Sequence, residues 1–460
     1  MTLQEYVNSI KNKRIAVIGI GVSNTPLIEL LLDNGCDVTA CDKRSADRMG
    51  GESQRLVSIG AKLNLGDSYL DKLDADIIFR TPGFMPFEPA LEKAKMNGSI
   101  ITSEMEVFMS LCPCKIIAIT GSDGKTTTSS IIAELLKAGG YTVHLGGNIG
   151  NPLLCSTPEI SKDDIVVLEL SSFQLHSMNC HPDIAVVTNI SPNHLDKHKD
   201  YQDYIDAKKA IFENQNAENK LVLNYDDGQS EYYAESAHSE IVYFSGKQTL
   251  EAGLYRDNGT IVSVSNNSKT EIMKADEIRL PGEHNMLNYL AAFAAVDGLV
   301  RPETCRKVAM EFAGVEHRLE HVRDLRGVEY INDSIASSPT RTSAGLHALK
   351  TKPIVIAGGY DKQIPFDSLG DDFCRLAKAV FLTGNTALKI KTAIEASAYY
   401  DKDTLHVEVL DEFDQAVLAA SNYAVSGDIV LLSPACASFD KFDNFAQRGK
   451  YFKKLVMELE

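Results

Sequence analysis

Three times along the chain an apolar run gives way to a glycine-containing turn and then to a helical pattern: RIAVIGIGVSNTP from Arg14, KIIAITGSDGKTTT from Lys115 and PIVIAGGYDK from Pro353. Such a run followed by apolar positions at helical spacing marks a βα unit, and these units build parallel sheets. The pattern predicts an α/β chain of three modules, at residues 1–107, 108–314 and 315–460. In the first, residues 14–18 and 37–41 are predicted strands flanking a helix over 26–34, with Pro26 near its first position. In the second, 165–170 and 184–189 are continuous apolar runs, as expected of strands covered on both faces. In the third, 353–357, 379–383 and 428–433 play the same part. Only 254–269 reads differently, as a polar-tipped hairpin turning at Asn258-Gly259. In open α/β sheets ligands gather at the carboxyl ends of the strands, so the following loops carry the chemistry.

Composition narrows the possibilities. A 460-residue chain with 44% hydrophobic residues has the material for several globular cores. Its net charge of -17 argues against a nucleic-acid or anionic-membrane partner, since both require a basic face. No apolar run approaches the roughly 18 residues that span a bilayer, and MTLQEYVNSIKNKR at the start lacks the apolar stretch of a signal peptide, so a cytoplasmic protein is expected. Nine cysteines without framework spacing suit reduced thiols, and Cys112-Pro-Cys114 falls short of the C-x-x-C spacing.

The segment Thr120-Gly-Ser-Asp-Gly-Lys-Thr126 ends as a phosphate-binding loop ends, although Ile119 stands where the usual G-x-x-x-x-G-K-[ST] pattern has its first glycine. Gly121 and Gly124 allow backbone N–H groups to turn inward, and the following helix start adds its positive dipole end. Lys125 is then placed for the β/γ-phosphates and Thr126 for magnesium. A short turn that merely contains G-K-T is the alternative; the strand before it and the helix after it favour the loop. Glu169, a carboxylate inside an otherwise apolar strand, is costly to bury without a cation and is expected to face the metal. His194, in the turn-rich NISPNHLDKH, is a candidate ligand or a solvated loop histidine.

These segments, with GGNIGNP, LELSSFQL, DAKKAIF, GEHNMLN, EHRLE and NDSIASSPT in the same order, resemble the Mur ligases, ATP-dependent amide ligases of peptidoglycan precursor synthesis. The family's phosphate loop is the shorter T-G-x-x-G-K-[ST], which accounts for Ile119, and the resemblance covers nearly the whole chain. It implies an N-terminal Rossmann-like domain for a UDP substrate, a central P-loop ATPase-like parallel sheet and a C-terminal Rossmann-like domain for an amino acid. LLSPACASFDKFDNFAQRG, from Leu431, resembles the members that add D-glutamate to UDP-N-acetylmuramoyl-L-alanine through an acyl phosphate.

Carried over by position, the resemblance implies ATP contacts at Thr120, Gly121, Ser122, Asp123, Gly124, Lys125, Thr126, Thr127, Asn285, Asn288, Arg318 and Asp333. It implies two Mg2+ ions, one at Thr126 and Glu169 and one at His194 and Lys208, the lysine as a carbamate; an unmodified surface lysine is the other reading of Lys208. Lys125, His194 and Lys208 are the implied catalytic residues. Asp42, Lys43, Arg44, Thr81, Gly83, Asn148 and His194 would hold the UDP substrate, and Lys362, Ser438 and Phe445 the D-glutamate, with Arg448 and Lys441 added by location alone. The partners are small molecules, a monomer is implied, and sites spread over three domains imply closure around the reactants. Two departures stand out: Ile335 replaces a family lysine in Asp333-Ser-Ile-Ala-Ser-Ser338, and Tyr360 stands where an acid is common in the GGYDK loop. Rival readings are a ligase with another acceptor, a non-catalytic nucleotide-binding regulator, and a dinucleotide-dependent oxidoreductase. The last is weakened by Asn24, which replaces the third glycine of G-x-G-x-x-G.

Overall fold

The apolar runs become the inner strands of three sheets. A computed structural model of the chain describes all residues except Val22, Lys72, Pro82, Met85, Pro86, Asn151, 194–196, Pro281, Lys362 and Gln363. The chain forms two compact units, Met1–Phe312 and Ala313–Glu460.

The first unit holds two sheets. One is five-stranded and parallel, in the order Lys62–Leu65, Asp37–Asp42, Arg14–Ile18, Ile77–Arg80, Ile100–Thr102. The other has nine strands. Its parallel part places the strand Lys115–Thr120 between Ile165–Glu169 and Ile184–Val187, with Ile119 opposite Glu169 and Thr120 opposite Val187. That register brings Glu169, the loop after Thr120 and the loop after Val187 together at the carboxyl ends of the strands. Residues 116–120 and 165–169 are all buried, in keeping with strands covered on both faces.

The predicted hairpin forms between Gly253–Asp257 and Thr260–Ser265, with Asn258 and Gly259 both at positive φ as a primed two-residue turn requires. A third antiparallel strand, Ser268–Lys274, extends it beyond the predicted range.

The first long helix starts at Asn24, two residues earlier than predicted. The Asn24 amide donates to the carbonyls of Ile18 and Gly19, drawing the first turn onto the strand end. Pro26 is tolerated in that turn because first-turn N–H groups have no intrahelical acceptor.

The two sheets of this unit share one apolar cluster that runs from Leu3 through Phe79 and Phe108 to Leu168 and Tyr204. Arg80, 2% exposed, is a polar strut between them. Its guanidinium donates to Phe84 O at 2.9 Å in its own module, and to Ser177 Oγ and Phe173 O at 3.1 Å beside the central sheet. Burial lowers its pKa to about 10.

The second unit is a six-stranded sheet in the order Glu320–Leu325, Val328–Asn332, Ile429–Leu432, Ile354–Ala357, Ala379–Leu382, His406–Val409, parallel except for the first pair. Apolar clusters centred on Phe373 and on Phe381 cover its two faces. Among the described residues no helix is long and apolar enough to cross a membrane.

Candidate active site

The loop between Thr120 and Lys125 is strapped to the end of the neighbouring strand. Asp123 N donates to Asn189 Oδ1 at 3.0 Å, Asn189 Nδ2 returns a bond to Asp123 O at 3.0 Å, and Ser122 N reaches Asn189 O at 2.8 Å. Thr188 Oγ1 adds a bond to Asp123 O at 2.6 Å. The backbone is left-handed at Gly124 (φ 78), where a Cβ would collide with Asn288 Oδ1, and a Cβ on Gly121 would collide with Thr188 Oγ1. Only glycine fits either position. The result is a rigid cradle ahead of a helix, Lys125–Ala138, whose first-turn N–H groups have no intrahelical acceptor. Lys125 Nζ folds over this cradle, 2.9 Å from Gly121 O and 2.8 Å from Ser122 O. A polyphosphate fits such a donor set.

Glu169 is 1% exposed, and both of its oxygens are engaged by neutral donors: Thr126 Oγ1 at 2.7 Å and Asn148 Nδ2 at 2.8 Å. A buried carboxylate beside a hydroxyl is a hard-oxygen pair, the set that suits Mg2+. Asn148, expected from the resemblance to meet the UDP substrate, is bonded here to Glu169.

Lys208 is 1% exposed, which sets aside the surface-lysine reading. Its Nζ donates to Gly121 O at 2.8 Å and Thr120 Oγ1 at 3.4 Å. Burial above all, and then the charge of Lys125, push this amine well below the usual lysine value.

Tyr204, which the sequence reading did not single out, lies one helical turn before Lys208. Its ring sits under the Lys208 amine at 4.7 Å and its hydroxyl bonds Ser122 Oγ at 2.8 Å. The i, i+4 spacing on the helix Tyr201–Lys209 was the available signal. Asn288 lies beside Gly124 and accepts from Thr128 Oγ1 at 3.3 Å, with Asn285 joined to it at 3.3 Å. Ser122, Asp123, Thr126 and Thr127 follow in the loop and first turn. His194 lies outside the described residues.

In the five-stranded sheet, Asp42 closes the strand Asp37–Asp42 and accepts from Ile20 N and Arg44 N, each at 2.8 Å. Arg44 also pairs with it at 2.9 Å. Burial alone would raise this carboxyl, but the Arg44 and Ile20 bonds outweigh it and hold it below its ordinary value. Asp42 thus shapes the turn and orients Arg44, while Lys43 beside it is exposed. Thr81 and Gly83 follow Arg80 at the end of the strand Ile77–Arg80, on the other side of Arg14–Ile18.

In the second unit, Asp333 is 4% exposed and accepts from Ser433 Oγ at 2.9 Å and Leu319 N at 3.2 Å. Burial outweighs these bonds and raises its pKa to about 7. Arg318 lies exposed one residue before Leu319. Tyr360 N bonds Ala437 O at 2.9 Å, setting the GGYDK loop beside buried Ser438; Lys362 itself lies outside the described residues. Phe445 begins the last helix, 38% exposed, its ring edge-on to His317. Arg448 points inward, 2% exposed, with its donors on Ser334 Oγ and the carbonyls of Ser334, Cys436 and Ala437, which makes it a brace for these loops. Lys441 is held by Asp411 O and Glu412.

The glycine cradle, the buried carboxylate beside a hydroxyl, and the two lysines on the loop carbonyls suit a polyphosphate held with a divalent cation. Residues 119–296 match the Mur ligase middle domain and 317–436 match the Mur ligase, glutamate ligase domain, so the chain belongs to the Mur ligase family of ATP-dependent ligases. It is 48% identical over 461 residues to the UDP-N-acetylmuramoylalanine--D-glutamate ligase of Acetivibrio thermocellus, covering 100% of this chain and 99% of that one. It is 47% identical over 463 residues to the ligase of the same name from Ruminiclostridium cellulolyticum, with the same coverage.

Among solved structures, UDP-N-acetylmuramate-alanine ligase MurC from Thermotoga maritima superposes with a TM-score of 0.56 at 18% identity, covering 97% of this chain and 99% of that one. MurF from Acinetobacter baumannii gives 0.57 at 16% identity, covering 99% of each chain. At these identities the likeness shows the fold.

Proposed function

We propose that the chain joins D-glutamate to UDP-N-acetylmuramoyl-L-alanine at the expense of ATP, in the cytoplasmic part of peptidoglycan precursor synthesis. The observation that carries the chemistry is the convergence of Lys125, Glu169 and Lys208 on one glycine cradle at the carboxyl ends of neighbouring parallel strands. The acceptor rests on the full-length similarity to the D-glutamate ligases and on the SPACASFD loop.

The cradle and Lys125 hold the β- and γ-phosphates. The terminal carboxylate of the UDP substrate attacks the γ-phosphorus, the bond to ADP breaks, and an acyl phosphate forms. Lys125 faces the charge that accumulates in this step. The amine of D-glutamate then attacks the acyl carbon, loses its proton, and inorganic phosphate leaves with the former carboxylate oxygen. Thr126 and Glu169 would hold one Mg2+ and His194 and Lys208 a second, where the ions would supply positive charge against the phosphates.

For Lys208 to serve a cation it must first lose its own positive charge. Its depressed pKa supports this: the neutral amine adds to CO2, releases a proton and becomes an anionic carbamate. In this reading Asn148 orients Glu169, Arg318 and Asp333 bind the nucleoside, and Asp42, Lys43, Arg44, Thr81 and Gly83 bind the uridine diphosphate end. Lys362, Ser438 and Phe445 receive the amino acid.

The test is phosphate release from ATP in the presence of UDP-N-acetylmuramoyl-L-alanine and a panel of amino acids. Release with D-glutamate alone is expected; release only with another acceptor, or with none, overturns the reading.

A further inference from the structure

Beside the cradle but outside it, three side chains converge that the ligase chemistry does not use. His176 Nε2 lies 2.9 Å from Asp203 Oδ1, and His198 Nδ1 lies 2.8 Å from Asp203 Oδ2. One donor atom from each of the three residues falls within 4.8 Å of the others. We infer that His176, His198 and Asp203 form a binding site for one transition-metal ion of the Zn2+ class, sharing no donor with the residues proposed for Mg2+.

The donor set argues for this class of ion. Two imidazoles and one carboxylate suit Zn2+ and Co2+, whereas Mg2+ prefers oxygen alone. The side chains are also pre-positioned. His198 is stacked on Phe173 at 5.5 Å and meets the Tyr204 ring edge-on at 5.2 Å, and His176 is held edge-on to Phe87 at 5.6 Å. His198 has no side-chain exposure, while His176 and Asp203, at 17% and 16%, leave an approach from solvent.

Without metal, each ring donates one N–H to the carboxylate. Metal binding requires each neutral ring to carry its proton on the other nitrogen instead. For His198 that nitrogen already has a partner, Ser172 Oγ at 3.0 Å, the kind of outer contact that fixes a ligand's tautomer. For His176 the other nitrogen is buried without a hydrogen-bond partner among the described residues, so this ring is the weaker ligand.

The inference does not depend on the ligase reading. The full-length protein, freed of metal and kept in saturating Mg2+ without nucleotide, is titrated with Co2+ and followed by its visible absorption and by bound-metal analysis. One equivalent is expected, displaced by Zn2+, and weakened at least about 10-fold in His176→Ala and in Asp203→Asn. His144→Ala, which removes a separate histidine–aspartate pair, serves as the control and retains the equivalent. Circular dichroism confirms that each variant is folded, and His176, at the edge of the cluster, keeps the test open if the Asp203 variant unfolds. No bound equivalent, or binding unchanged in folded His176→Ala, overturns the inference and leaves a hydrogen-bonded triad.

Discussion

The hydroxyl of Tyr204 lies 2.8 Å from Ser122 Oγ, so the helix that carries Lys208 is bonded directly to the phosphate loop. Ser122 also exchanges hydrogen bonds with Ser191 N and O, both at 2.9 Å, and is not orphaned if the tyrosine hydroxyl is lost. Tyr204→Phe is therefore expected to cost about 1 kcal/mol, the net value of one such bond. Urea unfolding of the full chain measures it, and a loss within error of zero would show that the contact does not couple the two elements.

Lys208→Met separates function from stability. Gly121 O keeps its bond from Lys125 when the lysine is lost. The depressed folded pKa means that the unfolded chain binds the extra proton between the folded value and the ordinary one, so the lysine weakens the fold at neutral pH. The variant should melt at or above the parent temperature at pH 7 while phosphate release disappears. In Lys208→Ala, short carboxylic acids are expected to restore part of the turnover. Undiminished turnover in either variant would remove the carbamate from the mechanism.

Gly121→Ala and Gly124→Ala should both abolish ATP binding measured by calorimetry, but they should respond differently to a second change. At Gly124 the obstacle is the end of the Asn288 side chain, so Asn288→Ala should return part of the affinity, short of the roughly 1 kcal/mol that positive φ still costs alanine. At Gly121 the same second change should do nothing, because the obstacle there is Thr188.

Asp333 makes the second unit sensitive to pH. Its folded pKa of about 7 lies above the unfolded value of about 3.9, so its contribution is fully present below the unfolded value and is lost as pH rises through 7. Asp333→Asn should flatten the decline in stability between pH 5 and pH 8, followed by amide exchange at the strand Val328–Asn332. An unchanged decline would assign it to other groups.

Arg80→Leu leaves the carbonyls of Phe84 and Phe173 without their guanidinium partner, each costing about 1–3 kcal/mol when buried. A stability loss of several kcal/mol is expected in chemical denaturation of the full chain. A loss below about 1 kcal/mol would mean that the apolar cluster alone joins the two sheets.

Much of this was legible locally. The strand, glycine turn and helix around Thr120–Thr126 are adjacent in sequence, and apolar periodicity reports them directly. Glu169 stood out because a carboxylate in an apolar run is costly, and Asn258-Gly259 because few residues adopt its turn. Periodicity tells which face of an element is covered but not what covers it. Arg80 reaches Ser177, Asn288 reaches Thr128 and Arg448 reaches Ser334, 97, 160 and 114 residues away, so these long-range roles had no local trace. Tyr204 was within reach through its spacing from Lys208, and the early start of the first helix turned on a side-chain bond that Pro26 obscured.

Asn24 turns an apparent flaw in a fingerprint into a design choice. The third glycine of that fingerprint serves the close packing of helix on strand, and Asn24 ties the two together with a side chain instead, its amide donating to the carbonyls of Ile18 and Gly19. The strand end thus carries its own side-chain cap, and the start of the helix is anchored to it by hydrogen bonds where a glycine would offer only closeness. Putting the glycine back would not by itself convert this module to a dinucleotide, since the strand end would first lose the cap that holds its helix in place.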